Sequence, residues 1–263
     1  MNDTQDIFST LVQAEIFAFS FQTARISGVL ITAPLPWSHA PVRLRAALAL
    51  ALGLVAHGAS PAAPEVINGA PLALALAGLT ELLLGAAIGF VVRLTVAVAE
   101  IVASSVSPSI GLSAAEVFSP GFGSENLLAR FFRMFAISLA LIVGVHRQLL
   151  GSLLSSFRII PPGTLINPAP LGPVILELTA NSIETGVRLA IPILAVLFIL
   201  QLALAFVSRA APAMQIFSIG FAVTILGGMA VIIIFLPELS QDLVVDASHV
   251  PDRIEQILRP LVK

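Results

Sequence analysis

The sequence predicts an all-α integral membrane protein, and three observations carry the prediction. Of its 263 residues, 57% are hydrophobic and only 11% charged, with a mean hydropathy of +1.01. A soluble domain carries roughly 25% charged residues, so this chain has too few to cover itself in water. Second, the apolar residues fall into long segments separated by turns rich in proline and glycine. Third, the chain after Pro237 changes character, with a small amphipathic helical pattern in Ile254, Ile257, Leu258 and Leu261. The expected organisation is a helical membrane domain over residues 1–240, with a central loop at about 106–122, and an amphipathic C-terminal tail over 241–263 that lies on a membrane or protein surface.

Composition also excludes whole classes of function. Without cysteine there is neither a disulfide framework nor a metal cluster held by thiolates. A net charge of -2, thinly spread, leaves no footprint for nucleic acid. The start, MNDTQDIFST, has no basic residue and so lacks the positive region of a cleaved signal peptide. The first apolar segment is therefore expected to remain in the mature protein.

That first segment runs from Ile7 to Ala33 and contains Glu15 and Arg25. Their backbones stand about 15 Å apart on a helix, too far to pair within it. An ionised side chain at such depth faces water or other protein, so Arg25 lies near an interface or pairs with another segment or subunit. Next, APLPWSHAPVRLR holds three prolines that stop the helix, and Trp37 suits a membrane boundary. Arg43 and Arg45 form the clearest basic pair beside a membrane segment and argue that this turn is cytoplasmic. Ala46 to Ala56, alanine and leucine almost throughout, is short for a bilayer that needs about 20 residues. It is expected to pack against protein, or to be extended by the preceding arginines.

Leu72 to Ile101 is the longest apolar pattern. Gly85 and Gly89 have the G-x-x-x-G spacing that lets two helices approach closely. Glu81 and Arg93 are too far apart along the helix to touch. Arg93 and Glu100, two turns apart, can line one polar seam or meet partners on another helix.

The stretch SSVSPSIGLSAAEVFSPGFGSENLLARFFRMF, Ser104 to Phe135, stands apart from its greasy surroundings. Pro108, Gly111, Pro120, Gly121 and Gly123 oppose a continuous helix from Ser104 to Gly123. Non-helical backbone beside membrane segments must be satisfied by protein or water, which points to a lumen, a cavity or an interface; an ordinary surface loop is the alternative. Ser124 and Asn126 are candidate caps for the next helix, where Arg130 and Arg133 lie one turn apart. His146 and Arg147 close it. A rigid crossing is expected from Pro161 to Pro173, then helical stretches from Leu176 to Arg188 and Leu189 to Val207. Arg209 and Pro212 mark a tight hairpin turn before Ala222 to Leu236, with Arg209 cytoplasmic by its charge. Strict alternation would then put Arg147 and Arg158 outside, against the positive-inside rule. Either the helix count differs, or some segments are re-entrant or sit in an assembly instead of in lipid.

No metalloprotease, phosphate-loop, dinucleotide or nucleophile-elbow motif is present, and no enzyme, cofactor or metal site is expected. The intramembrane charges support conduction, proton coupling or subunit assembly. A secondary transporter with discontinuous helices is the competing class, although the two halves show no convincing repeat.

Taken in order, four stretches resemble one family over nearly the whole chain. RISGVLITAPLPWSHAPVRLRAALALAL carries Arg25, Gly28, Pro34, Pro41, Arg43 and Arg45, and ELLLGAAIGFVVRL carries Glu81, Gly85, Gly89 and Arg93. Gly111-Leu112-Ser113-Ala114 with Pro120 follows, and PILAVLFILQLALAFVSRAAPAMQIFSIGF places Arg209, Pro212 and Phe217. Together they resemble the FliR/SctT family of flagellar and type III secretion export-gate proteins. The resemblance implies bent helical hairpins in a closed assembly, largely displaced from the plane of the bacterial inner membrane toward its periplasmic side. It implies partners of the P-type and Q-type export-gate subunits, the A-type and B-type export-gate proteins, membrane lipid and unfolded export substrates in transit. It also implies that the loop around Pro108, Ile110, Gly111, Leu112, Ser113, Ala114, Phe118, Pro120 and Gly121 plugs the export channel. Arg25, Arg43, Arg45, Glu81, Gly85, Gly89, Arg93, Arg130, Arg133, Arg209, Pro212 and Phe217 are the expected assembly or polar-seam positions. Family members commonly have asparagine at Gln215 and an acidic residue near Gln201; glutamine at both removes support for a proton relay there.

Overall fold

In the computed structural model, residues 2–59, 71–111, 126–210 and 216–261 are described, and among them the chain is helical with no strand. The helices are α1 (Asn2–Thr32), α2 (Val42–Ala59), α3 (Pro71–Ile110), α4 (Leu127–Val143), α5 (Val145–Ile159), α6 (Leu171–Ala210), α7 (Ile216–Ser248) and α8 (Val250–Leu258). Short 3-10 turns occupy Pro36–His39 and Arg259–Leu261.

Local chemistry explains where the helices start and stop. Asn126 Oδ1 accepts the N–H groups of Leu128 and Ala129 at 3.0 and 3.3 Å, satisfying donors that the first turn of α4 leaves orphaned. Gly111 and Gly144 adopt φ 84 and 85, a left-handed conformation open to glycine, and there α3 ends and α4 gives way to α5. His146 and Arg147 therefore open α5 instead of closing α4.

Several boundaries differ from expectation. The helix α3 continues through Pro108 to Ile110, so the first residues of the expected central loop are helical. A proline in the last turn removes one bond and crowds the carbonyl four residues back, but it leaves little helix beyond it to disrupt. The expected rigid crossing ends early: α6 starts at Leu171, and Pro173 falls in a first turn whose N–H groups have no helical acceptor. It then runs unbroken through Pro192. Likewise α7 runs through Pro237 to Ser248, so the change of character expected at Pro237 falls within one helix. Its last turns bury Leu239, Leu243 and Ala247, because the apolar spacing continues beneath the polar residues.

Among the described residues three helical stretches are long and apolar enough to cross a membrane, namely Pro71–Ile110, Leu171–Arg209 and Ala222–Leu261; α4 and α5 together make a fourth if counted as one broken span. The most apolar part of the first is 67% buried in protein, against 17% for each of the other two. The chain is an all-α integral membrane protein.

Two compact units divide the chain. The first comprises Met1–Leu94, Gly144–Thr179 and Ser248–Lys263. Within it α1 buries Ala18, Phe21, Arg25, Ile26, Val29 and Leu30, the three-and-four spacing of one helical face. Against that helix α2 presents small residues: a Cβ at Gly53 would lie 2.6 Å from Thr23 Oγ1. As expected, α2 packs on protein, against α1. The C-terminal amphipathic helix α8 buries Val250, Ile254, Ile257 and Leu258 and packs on α5. Leu261 is only half-buried.

The second unit comprises Thr95–Val143 and Ala180–Ala247. Its core joins Val98, Val102, Val106 and Ile110 of α3 to Phe132 of α4, Ile193 and Leu197 of α6, and Ile232 and Leu239 of α7.

Candidate functional site

The polar centre of the first unit begins with a backbone approach. A Cβ at Gly85 would collide with the Arg25 carbonyl oxygen, and one at Gly28 with the backbone of Leu82 and Ala86. Gly89 faces Val29 and Thr32 in the same way. The glycine spacing in α3 thus serves helix pairing, with α1 as its partner. Thr32 Oγ1 donates to the Ala86 carbonyl at 3.0 Å across the same seam.

This proximity brings Arg25 and Glu81 together, each fully buried. Arg25 Nε donates to Glu81 Oε2 at 2.5 Å and Nη2 to Oε1 at 3.0 Å, the two-pronged geometry a planar guanidinium offers a carboxylate. Its remaining bonds run from Nη1 to Ser156 Oγ at 3.1 Å and from Nη2 to the Ile160 carbonyl at 3.0 Å. The Phe157 ring lies beneath the guanidinium, with its centroid 4.6 Å from Cζ. Glu81 also accepts the Gly163 N–H at 2.9 Å. Gly163 has φ 86, so the Pro161-Pro162-Gly163 turn needs glycine where it meets the carboxylate. One ion pair therefore ties α1, α3, the end of α5 and the turn after it. Of the alternatives for Arg25, pairing with another segment is the one realised.

Ser156, Phe157, Ile160 and Gly163 were not singled out in the sequence, and only the glycine after two prolines signalled a special backbone there. His57 is another such residue: its Nε2 lies 2.8 Å from Glu15 Oε2, joining α2 to α1.

In the second unit Glu100 does meet a partner from another helix. Arg133 Nε donates to Glu100 Oε1 at 2.5 Å, with both side chains about a third exposed. Arg93, the other residue considered for that seam, is exposed, as are Arg43, Arg130 and Arg209; Arg45 is half-buried.

The end of α3 lies in the same unit. Ile110 is fully buried, and Gln201 Nε2 donates to the Ser109 carbonyl at 2.7 Å. Gly111 ends the described part of the central loop. Leu112, Ser113, Ala114, Phe118, Pro120, Gly121 and Pro212 lie outside the described residues, and Phe217 belongs to α7 with its side chain outside them. Among the described residues no group of histidine and acidic side chains is placed to hold a metal ion.

Comparison with known proteins adds the family. The model of bacterial export proteins, family 1, matches residues 16–247. The chain is 26% identical to the flagellar biosynthetic protein FliR of Caulobacter vibrioides, over 87% of this chain and 91% of that protein. It is 31% identical to FliR of Escherichia coli K12, over 81% and 82% of the two chains. FliR of Bacillus subtilis shows 26% identity, over 86% and 85%.

Proposed function

The chain belongs to family 1 of the bacterial export proteins, and from that premise we propose that it is a subunit of the flagellar or related type III protein-export gate. It is a bacterial membrane protein that helps to form and seal the channel through which unfolded substrates pass. The observation that carries this reading is the family match over residues 16–247, together with relatives named for flagellar biosynthesis that align over most of their length. The large apolar surfaces of α6 and α7 support it, since such helices need lipid or partner subunits to cover them.

Its seat is the inner membrane at a flagellar basal body or type III secretion base, largely on the periplasmic side. P-type and Q-type gate subunits are its direct neighbours, and the A-type and B-type proteins further ones. The exposed guanidiniums of Arg43, Arg93, Arg130 and Arg209 contact those partners. The segment from Ser107 to Phe122, which begins in the last turn of α3, acts as the seal: an idle channel for unfolded chains must exclude ions, and small and apolar side chains do so by packing. The protein acts by forming a passage, not by catalysis.

Co-expression with the P-type and Q-type proteins, purification in detergent and mass measurement test the assembly. The expected result is a stable hetero-oligomer containing one copy of this chain. A monomer that ignores partners which themselves assemble would overturn the reading in favour of a transporter. In the intact assembly, deletion of residues 112–122 is expected to raise ion leakage, and leakage at the wild-type level would rule out the seal.

A further inference from the structure

We infer that the last turn of α3, residues 107–111, is a releasable element, docked by Gln201 of α6 and a recess at Gly228 of α7 more than by its own helix. Every group involved belongs to the second unit. The inference requires nothing of the residues that follow Gly111.

The turn is weakly held from within. Pro108 has no N–H, so the Ser104 carbonyl lacks its helical donor. Just upstream, the Ser104 and Ser105 hydroxyls donate to the carbonyls of Glu100 and Ile101 at 2.7 and 2.8 Å, a local bonding that competes with the ladder and bends helices. The Ser107 hydroxyl is fully buried and has no hydrogen-bond partner, which disfavours the docked position. Gly111 closes the turn with a short-range bond to the Pro108 carbonyl at 3.1 Å.

What holds the turn comes from outside it. Gln201 is the one polar side chain between Arg188 and Ser208, in an otherwise apolar stretch of α6. Its side chain is exposed, and its amide donates to the Ser109 carbonyl at 2.7 Å. On the opposite helix, a Cβ at Gly228 would lie 2.7 Å from Ile110 Cγ1 and 2.8 Å from Cγ2, so Ile110 seats in a space that only glycine leaves. Ile110 belongs to the same buried cluster as Val98 and Val102 but lies about two to three turns further along α3, so one hydrogen bond and one side chain in a recess hold the end of that core. Gln201 is thus a positioning residue for the last turn of α3.

The test uses the full-length chain in native membranes. The sequence has no cysteine, so Ser107→Cys supplies a single buried thiol, and cysteine suits an apolar site. Its alkylation by N-ethylmaleimide reports how often the turn releases. Gln201→Met removes the donor at similar volume and is expected to raise that rate about five-fold, as loss of one net hydrogen bond would. A second reporter, Val98→Cys, lies in the same helix and is equally buried; its rate should stay unchanged. Gly228→Ala, which crowds Ile110, is expected to act like Gln201→Met and decides the matter if that variant does not accumulate. An unchanged rate at Ser107→Cys overturns the inference. So does equal acceleration at both reporters, which would mean general loosening.

Discussion

Arg25 makes four hydrogen bonds while fully buried, and its surroundings decide what its loss costs. With Glu81 replaced by alanine, the guanidinium stays buried beside Ser156 and the Ile160 carbonyl but loses its countercharge, and the Gly163 N–H loses its acceptor. Stranding a buried charge in this way costs about 3–5 kcal/mol. Glu81→Ala is therefore expected to lower the thermal midpoint of the full chain in detergent sharply, as followed by far-UV circular dichroism. Removing both charges as Arg25→Met with Glu81→Met should recover part of the loss, because no charge is then stranded. It should not recover all of it, since Gly163 and Ile160 remain without partners. A single Glu81→Ala variant as stable as the wild type would show that the pair does not hold these segments together.

Between helices, the same region depends on missing side chains. Gly85 of α3 lies against the Arg25 backbone, and neither of two packed helices can move aside without separating Arg25 from Glu81. Gly78, two turns earlier, has nothing within 4 Å of where a Cβ would stand. The two glycines therefore predict opposite outcomes from one substitution. Gly85→Ala should destabilise the α1–α3 pair, whereas Gly78→Ala should be neutral or stabilise by roughly 0.5–1 kcal/mol, because alanine loses less conformational freedom in a helix. Thermal midpoints moving in the same direction would remove the basis for a close seam. The spacing G-x-x-x-G was legible in the sequence, but its partner was not. Nothing local in ELLLGAAIGF selects α1 over another apolar helix, and the choice rests on Gly28 presenting a matching gap.

Over the whole molecule, the distribution of apolar surface separates α3 from the other long helices. Phe198, Ile199 and Phe206 of α6 are 61–71% exposed, and Ile233 and Ile234 of α7 are 64% and 73% exposed. Leu197, adjacent to Phe198, is 1% exposed. An aspartate within a membrane helix carries a cost of about 2.5–3.5 kcal/mol on insertion scales. Ile199→Asp is expected to reduce the fraction of chain recovered in carbonate-washed membranes while its helix content stays intact. Leu197→Asp should abolish the folded chain itself, because that side chain packs in the protein core. Equal effects of the two in membrane recovery and circular dichroism would mean that α6 has no outward face.

The sequence by itself determined the class, the family and the elements. Composition and long apolar segments are properties of neighbouring residues, and so are a cap at Asn126 and the amphipathic spacing of Ile254, Ile257 and Leu258. Even so, prolines misplaced the limits of α3, α6 and α7, because a proline stops a helix only where packing does not compensate its lost bond and the crowding of the carbonyl four residues back. Pairing was decided by tertiary structure alone. Arg25 and Glu81 stand 56 residues apart, and whether two such charges meet depends on the register between α1 and α3, which backbone contacts at Gly28 and Gly85 set. The same holds for Gln201 and Ser109, 92 residues apart. Local periodicity specifies which face a helix buries, whereas the partner and depth of that face follow from the close packing of all the helices at once.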